Sequence, residues 1–298
     1  MLFSDMMLGS EEIQTRRGDP NEENKMTDTI TRQLPQFDLS LDLHDADFVK
    51  PPKESQRNWL IQQSVNELVS ELYHLDKAAK SYVPGSQRVL LKDEWKTSPA
   101  NYDGSQLIIQ GHQVMQEWER PVMKAMAEWV AETHGDVLEV GFGMGISATY
   151  IQEVGVKSYT LVECNDGVIE AFEKWRLSYP NSDIRLIRGK WQDTTELLGS
   201  YDGVFFDAYA TSEEEITAYV RNSVTFAQAF FPVASNCLRE GGVFTYFTDE
   251  VDSFSRAHQR AVLEFFRSMT LSAVRPLFPP QDCNYWWEDS MMIVKAIK

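Results

Sequence analysis

The stretch Asp136-Val-Leu-Glu-Val-Gly-Phe-Gly-Met-Gly-Ile146 decides the fold, because an apolar, strand-like run passes directly into a turn rich in glycine. Glycine supplies positive φ angles and lets a backbone approach a ligand closely. In doubly wound α/β sheets, ligands bind where the carboxyl ends of the strands meet such turns. The stretch therefore predicts a ligand crevice at residues 141–146.

Short apolar runs elsewhere in the chain alternate with helix-like stretches. The predicted strands are Asp136–Val140, Tyr159–Glu163, Ile184–Arg188, Gly203–Asp207, Val243–Thr248 and Met291–Ile297. The predicted helices are about Gln110–Thr133, Ile146–Glu153, Asp166–Trp175, Ser223–Leu238 and Ser255–Met269. This alternation predicts an α/β fold with a doubly wound, mostly parallel sheet covered by helices on both faces. The last strand follows a long irregular stretch, so we expect an antiparallel hairpin at the sheet edge.

The amino-terminal third of the chain differs in character from the rest. Residues 1–52 are polar and acidic without a sustained apolar period, which predicts disorder or a surface arm, and Met26 is an alternative start. Residues 53–103 are expected to form a helical extension or lid, and residues 104–298 the main domain. The extension carries one apolar stripe at helical spacing, made of Ile61, Val65, Leu68, Leu72 and Leu75. We expect this stripe to pack on the main domain or to form the contact of a homodimer.

Composition limits the classes of partner. Among 298 residues, 28 are Lys or Arg and 45 are Asp or Glu, which gives a net charge of −17 and disfavours nucleic-acid binding. The chain has no apolar run long enough to suggest a membrane span. Its three cysteines are scattered, and no cluster of His and Cys suggests a metal site. We therefore expect a cytoplasmic protein with reduced thiols and no metal.

Three features narrow the choice of cofactor. A dinucleotide fingerprint would carry Gly or Ala where this turn has Ile146. Glu163 ends the next strand about 20 residues after the turn, at the place of a ribose-binding carboxylate. Trp191 follows the third strand, where an indole could stack on a purine or simply pack in the core. Together they favour S-adenosylmethionine and disfavour, without excluding, an NAD-dependent oxidoreductase.

Two acids are candidates for holding the group that receives a methyl. Asp207 ends the fourth strand at the carboxyl edge of the sheet, and Glu119 lies on the preceding predicted helix. Two carboxylates that face one pocket would grip a planar guanidinium bidentately. Glu119 alone could equally be a solvated helix residue.

These motifs resemble the guanidinoacetate N-methyltransferase family, to which fungal arginine N-methyltransferase is related. The resemblance covers residues 95–298 and rests on Val114–Glu119, Val137–Met144, Glu163–Val168, Gly189–Asp193, Asp207–Tyr209 and Pro279–Tyr285. It implies a class I methyltransferase fold with a seven-stranded sheet. It also implies that the cofactor is surrounded by Trp95, Met115, Met123, Gly141, Phe142, Gly143, Met144, Gly145, Ile146, Glu163, Cys164, Asn165, Lys190, Trp191 and Asp207. Glu119 and Asp207 would hold the acceptor, with Asp207 as general base.

One departure from the family pattern bears on the acceptor. The family has Thr-Tyr-Cys-Asn-Leu-Thr after the fifth strand, where this chain has Thr245-Tyr-Phe-Thr-Asp-Glu250. Asp249 and Glu250 are therefore candidates for reading an additional positive group, such as an α-amine, or are exposed loop acids.

We expect the acceptor to be a small guanidino compound, either guanidinoacetate-like or derived from arginine. Another amine- or acid-bearing metabolite, methylated on nitrogen or oxygen, and a non-catalytic S-adenosylmethionine-binding protein remain alternatives. A protein arginine is less favoured, because an acidic chain with a lid-like segment suits a small enclosed substrate.

Overall fold

The computed structural model describes residues 90–298, apart from residues 93, 221 and 222. The predicted arm over residues 1–52 and the apolar stripe from Ile61 to Leu75 lie outside the described residues. The homodimer contact expected on that stripe therefore stays a prediction.

A seven-stranded sheet forms the centre of the described part. Its strands are β4 (Asp136–Val140), β5 (Ser158–Glu163), β6 (Ile184–Arg188), β7 (Tyr201–Phe206), β8 (Leu238–Tyr246), β9 (Ser268–Val274) and β10 (Met291–Ile297). They lie in the order β6-β5-β4-β7-β8-β10-β9. Strands β4 to β8 are parallel, and β10 runs antiparallel to both of its neighbours. The predicted Rossmann-like, mostly parallel sheet is confirmed.

Helices and a small second sheet surround this centre. The helices are α1 (Arg120–Val130), α2 (Ile146–Val154), α3 (Asp166–Trp175), α4 (Trp191–Thr194), α5 (Glu213–Glu215), α6 (Phe231–Cys237) and α7 (Arg256–Phe265). The second sheet is antiparallel and consists of β1 (Ala100–Tyr102), β2 (Gln106–Ile109) and β3 (His112–Gln116). None of the described helices combines the length and the apolar composition needed to cross a bilayer.

The predicted helix from Gln110 to Thr133 is wrong over its first half, which also moves Met115 from a helix to strand β3. The reason is a tight turn, because Gln110 and Gly111 both adopt positive φ angles, of 53° and 80°. Two consecutive residues with positive φ form the turn that joins antiparallel strands with the correct twist. Helix α1 therefore begins only at Arg120, after a 3₁₀ turn that contains Glu119.

The predicted helix from Ser255 to Met269 is too long at its carboxyl end. Helix α7 ends at Phe265, and β9 begins at Ser268. Strand β9 pairs antiparallel with β10, so the expected terminal hairpin exists, but β9 occupies the edge and β10 lies inside the sheet. All residues of β9 are exposed or only partly buried, as expected for a strand at the sheet edge.

The last residues of the predicted amino-terminal extension are not helical. A 3₁₀ turn at Trp95–Thr97 is followed by β1, which pairs with β2 through Ala100 and Ile109. This hairpin joins residues on both sides of the expected boundary between residues 103 and 104. Residues 94–103 therefore pack with the main domain in the described structure.

Helix α1 packs tightly on the centre of the sheet at Gly203 in β7. A Cβ atom on Gly203 would lie 2.1 Å from the carbonyl oxygen of Val130, the last residue of α1. Gly203→Ala should therefore force the helix from the sheet and lower the free energy of unfolding by about 1–3 kcal/mol or more. Urea unfolding followed by circular dichroism measures the change.

Gly199→Ala is the matched control for this substitution. The nearest atom to a Cβ on Gly199 is 3.7 Å away, an ordinary contact. Its unfolding free energy should stay within about 0.5 kcal/mol of the unsubstituted chain. Equal losses in both variants would contradict the close packing of α1 on β7.

Candidate active site

The glycine turn after β4 brings the ends of two strands together. Gly141 has a φ of 90°, and a Cβ atom there would lie 2.1 Å from the backbone carbonyl oxygen of Asp207. The backbone N–H of Asp207 donates to the carbonyl of Val140 at 3.0 Å. Asp207 therefore sits directly beside the turn, as expected for a residue at the carboxyl end of β7.

The side chains of Met115 and Tyr102 pack against the glycine turn at Gly143. A Cβ on Gly143 would lie 2.7 Å from the sulfur of Met115, which also accepts a hydrogen bond from the backbone N–H of Met144 at 3.2 Å. The hydroxyl of Tyr102 donates to the carbonyl of Gly143 at 3.0 Å. Met115 and Tyr102 thus fix the shape of the turn, and Gly143 is required for internal packing as well as for any approach of a ligand.

Glu163 at the end of β5 connects the turn to the neighbouring loop. One carboxylate oxygen accepts from the backbone N–H groups of Cys164 and Asn165 at 2.7 and 2.8 Å. The other accepts from the N–H of Phe142 at 3.1 Å. A carboxylate has about four acceptor positions, so these bonds leave room for one more donor, such as a ribose hydroxyl. Burial raises the pKa of Glu163.

Trp191 begins α4 directly after β6. Its ring packs edge-to-face on Phe206 and Phe230, with centroids 6.2 and 5.3 Å away. Its indole N–H is buried and has no hydrogen-bond partner among the described residues. Lys190 forms an ion pair with Glu215 at 2.7 Å, which ties the same loop to α5.

The other predicted cofactor residues fall into two groups. Phe142, Ile146 and Met123 are almost fully buried in the core beneath the turn. Trp95 and Met144 are partly buried, and burial raises the pKa of the Cys164 thiol to about 12. The structure thus places the glycine turn, Glu163 and Trp191 at the carboxyl ends of the neighbouring strands β4, β5 and β6. That these residues surround the adenosine half of S-adenosylmethionine stays a prediction.

Glu119 is buried, with 2% of its surface exposed. Its carboxylate accepts hydrogen bonds from the backbone N–H of Gln116 at 2.8 Å and from the hydroxyl of Tyr285 at 2.6 Å. The first bond belongs to a reciprocal cap, since the Gln116 side chain also accepts from the backbone of Glu119. Local sequence therefore fixes the direction of this acid.

Three acids influence one another in this region. Burial and the charge of Asp207 raise the pKa of Glu119, against the opposing hydrogen bonds from Tyr285 and Gln116. Desolvation and the charge of Asp249 raise the pKa of Asp207. Asp249 itself is exposed and has a φ of 58°, a strained angle for a residue other than glycine. The charge of Asp249 thus acts on Asp207, and the charge of Asp207 acts on Glu119.

Glu250 is directed elsewhere. Its carboxylate pairs with Nδ1 of His258 at 2.6 Å, and Nε2 of the same ring contacts the hydroxyl of Tyr246 at 2.7 Å. His258 is fully buried and stacks on Phe254. This chain of contacts holds the loop that presents Asp249, and the role of Glu250 as a substrate ligand stays a prediction.

An aromatic wall beside Glu119 was not predicted from the sequence. The Trp118 ring lies 5.9 Å from Tyr285 and 6.4 Å from Trp286, nearly parallel to the latter. The Trp118 N–H donates to the side chain of Gln116 at 2.9 Å. The resemblance over Pro279–Tyr285 was the available signal, but it did not assign Tyr285 a partner.

Glu139 in strand β4 is a buried acid for which the sequence predicted no role. It accepts hydrogen bonds from Ser147 and Tyr159, and burial raises its pKa to about 8. Within residues 90–298 as described, no group of three or more His, Cys, Asp or Glu residues is arranged to hold a metal.

Comparison with known proteins identifies the family of the chain. A profile of the guanidinoacetate N-methyltransferase family matches residues 86–298. Protein arginine N-methyltransferase 2 of Yarrowia lipolytica is 28% identical over 223 residues, which are 68% of this chain and 44% of that protein. The Saccharomyces cerevisiae protein of the same name is 26% identical over 168 residues, or 52% of this chain and 35% of that protein. The chain thus spans less than half the length of these relatives.

Among solved structures, spermidine synthase from Thermotoga maritima has a TM-score of 0.47 and 13% identity, covering 72% of this chain and 83% of that one. This similarity adds nothing to the family assignment, which rests on the profile. The profile match spans most of the chain and confirms the resemblance stated from the motifs. The chain therefore belongs to the guanidinoacetate N-methyltransferase family of class I S-adenosylmethionine-dependent methyltransferases.

Proposed function

We propose that the chain methylates a nitrogen of a small guanidino compound, guanidinoacetate-like or derived from arginine, with S-adenosylmethionine as methyl donor. The observation that carries this proposal is the electrostatic coupling of Glu119 and Asp207 beside the glycine turn. The charge of the partly buried Asp207 raises the pKa of the buried Glu119, so a cation bound between them would stabilise both acids as carboxylates. Three unpaired cysteines suit the reducing cytoplasm, where we expect this activity.

The reaction requires alignment and the removal of one proton. The sulfonium supplies an electrophilic methyl group, so the protein chiefly has to hold the acceptor nitrogen in line with the carbon–sulfur bond. A guanidinium has no free lone pair on its nitrogens. As the N–C bond forms and the C–S bond breaks, Asp207 accepts the proton of the attacking nitrogen. Glu119, fixed by Tyr285 and Gln116, holds the remaining N–H groups of the plane.

Acceptor binding should depend on pH in a defined direction. The pKa values of Glu119 and Asp207 are raised, so at neutral pH the empty site holds protons that a bound guanidinium displaces. Affinity should therefore rise between about pH 6 and pH 9, with release of protons on binding. Calorimetry with S-adenosylhomocysteine present, in buffers of different ionisation enthalpy, counts the released protons.

Glu119→Gln is the control for this titration, because the amide preserves size but removes one titrating group. The variant should release fewer protons and show a weaker dependence on pH. An affinity that is independent of pH, without proton release, would contradict the paired acids as the guanidinium site.

The reaction itself is tested with labelled S-adenosylmethionine and a panel of guanidines, amines, carboxylic acids and an arginine-containing protein. Label should appear on small guanidines. Asp207→Asn should lower kcat by about 10²–10⁴-fold while S-adenosylhomocysteine still binds. Glu119→Gln should act mainly on the acceptor KM.

Each result in the panel discriminates. Near-normal turnover by Asp207→Asn would remove the general base from the mechanism. Label on the protein alone would favour a protein arginine as acceptor, the activity named for the fungal relatives. Label on amines or acids alone would reject the guanidino assignment.

Asp249 adds a third negative charge, which bears on the choice among guanidines. Its charge raises the pKa of Asp207, so Asp249 acts electrostatically on the proposed acceptor site. The carboxylate of an acceptor such as guanidinoacetate is repelled by these negative charges, whereas an additional amine on the acceptor is attracted. We therefore propose that Asp249 favours amine-bearing guanidines over guanidinoacetate.

Asp249→Asn should reduce the preference for an amine-bearing guanidine over a matched guanidine without the amine by about 5–10-fold in kcat/KM. Asp183→Asn is the matched control, since Asp183 precedes β6 at the opposite end of the sheet. Equal losses of kcat/KM on both guanidines would contradict the proposal that Asp249 interacts with the amine.

A further inference from the structure

We infer that Asn165 is a positioning residue that pins the Trp95–Tyr102 segment across the cofactor end of the crevice. The inference rests on the proposed function only in taking that crevice as the S-adenosylmethionine site. It changes the role expected for the Asn165 side chain, from a ligand of the cofactor to a tether within the protein.

The contacts of the Asn165 amide carry the first step. Its side-chain nitrogen donates to the carbonyl of Trp95 at 2.7 Å and to that of Ser98 at 2.9 Å. Its side-chain oxygen accepts from the N–H of Val168 at 3.0 Å and caps α3. Asn165 is fully buried. An amide has two N–H donors, so both are used within the protein and none remains for a ligand.

Gly167 provides an independent observation at the same place. A Cβ atom there would lie 2.9 Å from the Cβ of Ala100 and 3.1 Å from its nitrogen. Its φ is not in the left-handed region, so the glycine is needed for space. Strand β1 therefore docks directly on the first turn of α3, beside the two bonds from Asn165.

The segment also reaches the other side of the crevice. The Tyr102 hydroxyl donates to the carbonyl of Gly143 in the glycine turn. The backbone N–H of Asn165 donates to Glu163, the predicted ribose acid. The segment thus joins the glycine turn to the loop after β5, and the residue that pins it also orients the acid.

A bound cofactor between these two anchors could leave only after the segment moves. Loosening the pin should therefore speed dissociation of S-adenosylhomocysteine, while the acids that hold the acceptor, Glu119 and Asp207, keep their own contacts. A residue that merely stabilised α3 would instead change the stability of the whole fold.

Two substitutions in the full-length chain separate these roles. Asn165→Ser keeps a side-chain oxygen that can cap α3 but loses both donors to the segment. Gly167→Ala favours the helix intrinsically but pushes Ala100 away. The two changes thus loosen the same contact by different means, and the second keeps the Asn165 side chain.

The readouts are amide hydrogen exchange in the ligand-free chain and the dissociation rate of S-adenosylhomocysteine. In both variants, exchange at residues 95–102 should rise about 10-fold, with α3 protected as before. Dissociation should become about 10-fold faster. The thermal midpoint, measured by circular dichroism, should change little in Gly167→Ala.

Unchanged exchange in both variants would overturn the pin. Faster exchange at residues 95–102, together with an unchanged dissociation rate of S-adenosylhomocysteine, would show that the segment does not lie across the cofactor. Failure of the unsubstituted chain to bind S-adenosylhomocysteine would overturn the proposed function instead, and the exchange data would still decide the pin.

Discussion

The site depends on the absence of a side chain at Gly141. Only a hydrogen fits where the carbonyl oxygen of Asp207 approaches the turn, so the ends of β4 and β7 can meet there. That contact sets the position of the Asp207 carboxyl relative to the glycine turn. Any larger residue would separate the proposed base from the crevice beside it, whatever the other side chains did.

Near this contact, several acidic side chains lie in a region that is partly shielded from solvent. The charge of Asp207 raises the proton affinity of Glu119, and the charge of Asp249 raises that of Asp207. Such a cluster is unfavourable in the empty protein and becomes favourable with a cationic ligand. The surrounding contacts, from Tyr285 to Glu119 and from His258 to the loop of Asp249, hold the arrangement in place.

Much of the architecture could be predicted because parallel, buried strands are nearly continuous apolar runs. Strand β9 was missed because its residues are exposed or only partly buried, and its first residues continue a helical pattern. The hairpin before α1 was missed because its turn is Gln110–Gly111, where a non-glycine residue adopts a positive φ. Apolar spacing alone could not reveal that choice.

The candidate site divides in the same way. Glu119, Asp207 and Glu163 could be proposed because acids at strand ends or in distinctive motifs are visible in the sequence. The partners of Asn165 and Glu250 could not, since each hydrogen bond joins segments whose approach is determined by the tertiary fold. The residue types indicated that these side chains make polar contacts, and only the structure shows which atoms are their hydrogen-bond partners.

The sulfur of Met115 makes the turn vulnerable to oxidants. As a thioether it accepts a hydrogen bond from Met144 and fills the space beside Gly143. A sulfoxide at the same place would be bulkier and more polar, and the hairpin could not close over it. Because Met115 is 3% exposed, an oxidant reaches it only when the hairpin of β2 and β3 opens. Oxidation would therefore accumulate in chains whose hairpin opens transiently. The sulfoxide would keep that hairpin open until a reductase restored the thioether.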